Sequence, residues 1–102
     1  MTTARKGVHH LKTWPVFFEA CRTGKKTFEI RNDDRHFEEG DEVVLCEWDP
    51  AKAEKREADG YTGRELRGTI SYLLIPSDCP SDAVKDGFVV FACNWPTTVA
   101  TR

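Results

Sequence analysis

Short segments in which apolar and polar residues alternate predict a mainly β chain. In Lys26–Arg31, the apolar residues Phe28 and Ile30 alternate with polar neighbours, which is typical of a half-buried strand. Segments rich in β-branched and apolar residues indicate further strands. The complete set of predicted strands is Val8–Lys12, Lys26–Arg31, Glu42–Trp48, Arg67–Ile75 and Phe88–Cys93.

One segment has a helical pattern instead. Thr13 is a candidate N-cap, Pro15 fits the first turn of a helix, and Gly24 is a natural residue just past its end. Between them, apolar residues recur at helical spacing: Trp14, Phe17, Phe18 and Cys21. We therefore predict a short amphipathic helix over Trp14–Thr23 whose apolar face packs on the core.

The remaining segments are polar and rich in residues that interrupt strands. We predict an exposed loop at Pro50–Gly63, a loop or single helical turn at Pro76–Asp86, and a frayed tail at Thr97–Arg102. A strand, a helix and then successive strands favour a small antiparallel or mixed sheet, curled into a barrel with the helix on one side. The fold class expected from the pattern is thus α+β, mainly β.

Length and charge narrow the possible functions. The chain has 102 residues, which is the size of one domain, so residues 1–102 are predicted to form a single unit. Lys and Arg number 15 against 17 Asp and Glu, a formal net charge of −2. This balance excludes a strongly basic protein that coats nucleic acid, and any nucleic-acid contact has to be made by a local patch.

The four cysteines (Cys21, Cys46, Cys79 and Cys93) are widely spaced and form no C-x-x-C pair. Structural zinc sites normally contain closely paired ligands, so we expect no metal site, and no motif indicates another cofactor. The first twelve residues contain no apolar signal-peptide core, and no apolar run approaches the ~20 residues that span a bilayer. We therefore expect a cytoplasmic protein with reduced thiols and no membrane contact.

The densest polar cluster is the segment Gly24–Arg35. On a strand, Thr27, Glu29 and Arg31 lie on one face, and Lys26 precedes them. A guanidinium can hold a phosphate or carboxylate, while the carboxylate beside it can accept from a nucleobase edge or act as a general base. From the pattern alone, however, a solvated strand face that carries a salt bridge is favoured over a ligand site.

Residues across the first half of the chain resemble a small family of unknown function from bacteria and phages, within the ASCH group of PUA-like domains. The ASCH hallmark G-x-K-x-x-E-x-R is met by Gly24, Lys26, Glu29 and Arg31. The flanking matches are His10-Leu11-Lys12, Trp14-Pro15, Phe17-Phe18, Asp34-Arg35, Gly40-Asp41, Leu45 and Glu47-Trp48. The second half of the chain is similar only in its strand pattern and length.

This resemblance implies a PUA-like β-barrel with one or two flanking helices and a cleft for RNA or a modified nucleotide. The cleft is expected to be lined by Lys26, Glu29 and Arg31, with Thr27 on the same strand face. Arg35, Lys12, His10 and Trp48 extend the predicted cleft, and Trp48 is a candidate stacking platform for a base.

Three functions stay open from the sequence. The first is a binding module for RNA or a nucleotide. The second is a small hydrolase, since some ASCH relatives deacylate acetylated cytidine and others are described as ribonucleases; Lys26 and Glu29 are then the catalytic candidates. The deacylases have a threonine three residues after the lysine, where this chain has Glu29. The third is an accessory domain that binds a protein through Glu38–Glu42 or Pro50–Gly63.

Overall fold

The computed structural model describes residues 7–80, 82–95 and 100–101. One helix, α1, spans Pro15–Arg22. The strands are β1 (Val8–Thr13), β2 (Phe28–Asn32), β3 (Glu42–Trp48), β4 (Tyr61–Leu74), β5 (Phe88–Asn94) and β6 (Ala100–Thr101). The predicted α+β, mainly β class is confirmed.

The strands form one curled sheet in the order β1-β3-β4-β5-β2, and β6 pairs with β4. β1 runs parallel to β3, with Leu11 opposite Leu45, and the other pairings are antiparallel. The strands at the two ends of the order, β1 and β2, come from the first third of the chain. Curling of the sheet brings these two edges towards each other.

The core fills the concave side of the sheet beneath α1. The helix contributes Phe18 and Cys21, and the sheet contributes the inward residues of its central strands. Its buried members are Leu11, Phe18, Cys21, Phe37, Val43, Leu45, Leu66, Ile70, Val89, Phe91 and Cys93. Burial of this apolar surface is the main stabilising contribution to the fold.

Side chains join the two edge strands where no backbone ladder does. The Arg31 Nη1 donates to the Lys12 carbonyl at 3.3 Å, and its Nη2 donates to the Thr13 hydroxyl at 3.4 Å. Arg35, just after β2, donates to the His10 carbonyl at 2.7 Å. We call the junction between β1 and β2 the seam, and these guanidinium contacts bridge it.

Two predicted boundaries are wrong. β4 begins at Tyr61 rather than Arg67, and the loop before it contains two 3-10 turns, Pro50–Lys52 and Glu57–Gly60. In the predicted frayed tail, Ala100–Thr101 forms a strand opposite Arg64 and Glu65, while 97–99 and 102 lie outside the described residues. Charged residues and a glycine obscure the start of β4, and the pairing of β6 is long-range, so neither is visible in the local pattern.

The helix is less buried than its pattern predicts. Phe18 and Cys21 are buried, but Trp14 and Phe17 each expose about half of their surface. Phe17 lies one residue from Phe18, and adjacent helical positions face directions about 100° apart. The predicted packing of all four apolar residues on the core is therefore correct for two of them.

A buried His–Asp pair anchors the start of β1. His9 Nε2 lies 2.8 Å from Asp41 Oδ2, and the backbone amides of Gly7 and Glu38 also donate to this carboxylate. Burial alone raises the pKa of Asp41, but these hydrogen bonds outweigh it and bring the pKa below its ordinary value of 3.8. The ionised carboxylate is thus bound more favourably in the folded state than in the unfolded chain.

We expect a pH dependence of stability from this site. A carboxyl group whose pKa is lowered on folding stabilises the folded state. This contribution is complete at pH values well above the ordinary pKa, and it is lost as the pH falls through the lowered pKa. The free energy of unfolding, measured by urea titration between about pH 5 and pH 2, should therefore fall more steeply for the wild type than for Asp41→Asn. The exposed Asp34 gives the control, since Asp34→Asn should keep the wild-type slope. Equal slopes for Asp41→Asn and the wild type would contradict this account.

Candidate functional site

A hollow with a volume of about 510 Å³ lies at the seam. Its charged residues are Lys12, Lys26, Glu29 and Arg31. Its apolar residues are Trp14, Phe17, Phe28 and Ile30, and Thr13 completes the lining. We call this the seam hollow, and it is formed by the end of β1, the start of α1 with Trp14 before it, and Lys26 with residues 28–31 of β2.

Glu29 is the central charge of the seam hollow and is only 3% exposed. Its Oε1 accepts from Arg31 Nε at 3.2 Å and Nη2 at 3.0 Å. Its Oε2 accepts from the Lys26 ammonium and, at 3.7 Å, from the Cys21 thiol. The carboxylate is therefore fixed by two cations, which satisfies the need of a buried charge for a partner.

Both cations keep donor capacity beyond this pairing. The Lys26 ammonium carries three N–H groups and uses one for Glu29 and one for the Phe28 carbonyl at 2.7 Å. The guanidinium of Arg31 carries five N–H groups and makes four contacts, to Glu29, Thr13 and the Lys12 carbonyl. With Lys12, the lining holds three cations and one carboxylate. The hollow is a locally positive site on a chain of net charge −2.

β2 is oriented opposite to the expectation from its apolar residues. Glu29 is buried, while Phe28 is 46% and Ile30 is 59% exposed. The alternation correctly predicts two faces, but the polar face points inward to the salt-bridge network. Phe28 and Ile30 then border the hollow from outside, together with Trp14 and Phe17. Four exposed apolar side chains around a charged centre form an amphipathic site.

The predicted site residues divide between this hollow and its surroundings. Lys12, Lys26, Glu29 and Arg31 line it together. The placement of Thr27 in the same row is wrong: Thr27 precedes β2, and it borders a separate hollow beside Cys21 and Cys93. Its carbonyl accepts from the Cys93 amide at 3.1 Å, and its side chain is exposed, whereas Glu29 is buried.

The three outlying candidates have different positions. Arg35 bridges the seam through the His10 carbonyl, and the His10 side chain belongs to a second hollow on the outer face of the sheet. Trp48 is half-buried beside the seam hollow: its ring lies 6.1 Å from Trp14 and 4.3 Å from the Lys12 ammonium. Its indole N–H donates to the Glu57 carbonyl at 2.7 Å. Trp48 therefore positions Lys12 and Trp14 and is itself partly covered.

The apolar residues of the site are not visible in the sequence pattern, which places Trp14 and Phe17 on the core and Phe28 and Ile30 on the buried face of a half-buried strand. The hallmark contains one signal, since Glu29 and Arg31 in a cleft put Phe28 and Ile30 on the other face of the strand and so out of the core.

Comparison with known proteins gives a family match over the part of the chain that contains the residues of this site. Residues 8–93 match a family described as a domain of unknown function, DUF3850. The chain belongs to this DUF3850 family. A curated relative, an uncharacterised 12.9 kDa protein in the GpA 3′ region of Escherichia phage P2, is 31% identical over 77 residues. That alignment covers 76% of this chain and 63% of the phage protein, so the chain spans less than two thirds of its relative's length.

In this DUF3850 chain, the Cys21 thiol that contacts Glu29 is a poor nucleophile. Burial, with a smaller effect from Glu29, raises the pKa of Cys21 to about 11. Burial likewise raises the pKa of Cys93 to about 12. A thiol with such a pKa is protonated at neutral pH, whereas nucleophilic attack requires the thiolate. Cys21 therefore acts as a hydrogen-bond donor to Glu29.

Three further findings concern the part of this DUF3850 chain that the structure describes. Within residues 7–80, 82–95 and 100–101, no group of three or more His, Cys, Asp or Glu side chains is arranged to hold a metal ion. In the same ranges, no helix has the length and apolar character needed to cross a membrane. All four cysteines carry free thiols.

Proposed function

We propose that this DUF3850 chain is an ASCH-type, PUA-like domain that binds RNA or a modified nucleotide in the seam hollow. One observation carries the proposal: three cations, a fixed carboxylate and four exposed apolar side chains line the same hollow. A nucleotide combines an anionic phosphate, a base edge with donors and a planar face, and each has a matching group here. Free thiols support a reducing compartment, so the proposal places the protein in the cytoplasm.

Lys26 and Arg31 are the proposed phosphate-binding residues. Each is already oriented by Glu29, so little side-chain entropy has to be lost when an anion binds. Each also retains an N–H group that the contacts within the described chain do not use. Binding through these groups is electrostatic and should weaken as salt is added.

The exposed aromatic rings are the proposed contacts for the base of the nucleotide. Trp14, Phe17 and Phe28 border the hollow, and each is about half exposed. Stacking of a base on an aromatic side chain contributes about 1–3 kcal/mol. Burial of these rings beneath a base also removes apolar surface from water, which explains their position around a charged site better than a solvated salt bridge does.

Hydrolysis has less support than binding. A general base needs an oxygen that can accept a proton from water, but both oxygens of Glu29 already accept from cations. The protonated Cys21 does not replace it as a nucleophile. No specific contact favours the protein-interaction alternative through Glu38–Glu42 or 50–63.

Two neighbouring lysines provide the test. Lys26 lines the seam hollow and contacts Glu29, whereas Lys25 is exposed and lies outside that lining. Lys26→Gln should weaken the binding of short RNA about tenfold, equivalent to ~1.4 kcal/mol, and reduce the salt slope of log Kd by about one phosphate contact. Fluorescence titration at several salt concentrations measures both quantities.

Lys25→Gln removes the same charge from the same segment and is the matched control. It should change affinity less than about twofold, because the charge of Lys25 is exposed, lies outside the lining of the hollow and is screened by salt. Equal losses for the two variants, or an affinity of the wild type that does not depend on salt, would count against the seam hollow as the phosphate site.

A further inference from the structure

A second hollow lies next to the seam hollow, on the outer face of β1, β3 and β4, and has a volume of about 290 Å³. His10, Lys12, Tyr61 and Arg64 line it, together with Glu47 and Glu65. We call it the outer hollow. Lys12 belongs to the lining of both hollows, so a single ammonium group lies at the boundary between them.

The charges of the outer hollow balance one another. Glu47 accepts from the Thr62 hydroxyl at 2.8 Å and lies 3.7 Å from Arg64 Nη1, so this carboxylate and this guanidinium are already paired. The Oε1 of Glu65 lies 4.0 Å from the Nη2 of Arg67, which forms a second ion pair. Tyr61, which lines the hollow, is 46% exposed. A hollow with balanced charge and an exposed aromatic ring suits a planar, uncharged group with polar edges.

Lys12 is held at the boundary by contacts that an incoming phosphate can replace. Its ammonium lies 4.3 Å from the centre of the Trp48 ring and 2.6 Å from Glu57 Oε1. Glu57 is 70% exposed, and exposed ion pairs of this kind contribute little free energy. The Trp48 contact keeps the ammonium near both hollows while Glu57 is exchanged for another anion. The Trp48 ring also lies 6.1 Å from the ring of Trp14, which lines the seam hollow.

We propose that the ligand is a single-stranded oligonucleotide rather than a free nucleotide. One nucleotide lies in the seam hollow, the base of its neighbour lies in the outer hollow against Tyr61, and Lys12 binds the phosphodiester between them. This inference rests on the proposed function of the seam hollow. Its geometric basis is that one ammonium group, that of Lys12, lines both hollows, and that each hollow has an exposed aromatic side chain in its lining.

Two tyrosines of β4 allow a test in which the charge of the protein is constant. Tyr61 lines the outer hollow, whereas Tyr72 is 60% exposed and borders neither hollow. The probes are the four RNA homotetramers and the four matching 5′-mononucleotides, titrated against wild type, Tyr61→Ala and Tyr72→Ala. Far-UV circular dichroism and thermal unfolding confirm that each variant is folded.

We expect the best tetramer to bind wild type at least about tenfold more tightly than its mononucleotide. Tyr61→Ala should weaken tetramer binding about tenfold and mononucleotide binding less than twofold, because only the tetramer reaches the outer hollow. Tyr72→Ala should alter neither. A tetramer affinity that Tyr61→Ala leaves unchanged, or reduces no more than Tyr72→Ala does, overturns the second base site.

The two proposals fail in different ways. If mononucleotides bind and Lys26→Gln weakens them, but tetramers bind no more tightly, the seam hollow is correct and the outer hollow is not a base site. If neither probe binds wild type, the nucleotide proposal fails, and the oligonucleotide inference fails with it.

Discussion

Phe18→Ala should lower the free energy of unfolding by about 3–5 kcal/mol, the usual cost of truncating a buried phenylalanine. Phe18 is 0% exposed and packs α1 on the core, with the Arg64 guanidinium 4.9 Å from its ring. Its removal leaves a cavity between helix and sheet that the surrounding side chains only partly fill. Urea unfolding followed by circular dichroism measures the loss, and Phe18→Leu should show a smaller one.

The neighbouring Phe17 supplies a control that the sequence alone does not distinguish from Phe18. Phe17 is 52% exposed and borders the seam hollow. Phe17→Ala should therefore cost less than about 1 kcal/mol of stability, while it weakens the binding of short RNA by removing an aromatic contact. Comparable losses of stability for Phe17→Ala and Phe18→Ala would show that the helix is rotated from the orientation described above.

Glu29→Gln should destabilise the fold by about 2 kcal/mol, which is a decrease in Tm of about 10 °C for a domain of this size. The substitution keeps the shape of the side chain but leaves Lys26 and Arg31 close together without their anion. Removal of one partner from a fully buried pair costs about 3–5 kcal/mol. The smaller value applies because these cations are 20% and 26% exposed and water partly solvates them.

The matched variant is Glu57→Gln, which removes an exposed carboxylate from Lys12. Because the Lys12–Glu57 pair is exposed, we expect a change in stability below about 1 kcal/mol. Thermal unfolding of both variants in one buffer gives the comparison. A Tm for Glu29→Gln equal to that of Glu57→Gln would mean that the Glu29 network does not hold the seam together.

The sequence predicts the strands better than it predicts their orientation. The bounds of β3 match the prediction, and β5 differs by one residue, because each is a continuous run of apolar and β-branched residues. For β2 the period-two pattern is equally clear, but the usual rule that apolar residues point inward fails there. Phe28 and Ile30 face outward because the inward positions carry the charged network of Glu29 and Arg31. Such departures from local rules occur at functional or strained sites, so the orientation of β2 is a reason to treat this hollow as a candidate site.

The candidate site is predictable from the sequence only where its residues are close together along the chain. Lys26, Glu29 and Arg31 lie within six residues of one another, so a local motif identifies them. Lys12 joins them because curling of the sheet brings β1 towards β2, and Tyr61 reaches the neighbouring hollow through the pairing of β4 with β3. These are long-range arrangements, which a single sequence does not encode in its local pattern.

The guanidinium contacts across the seam have a consequence for self-association. The edge of a sheet normally presents unpaired carbonyl and amide groups that can template an added strand from another molecule. On β1, Arg31 and Arg35 already occupy the carbonyls of Lys12 and His10. The guanidinium groups that bridge the seam thus also protect this edge of the sheet against intermolecular strand addition and aggregation.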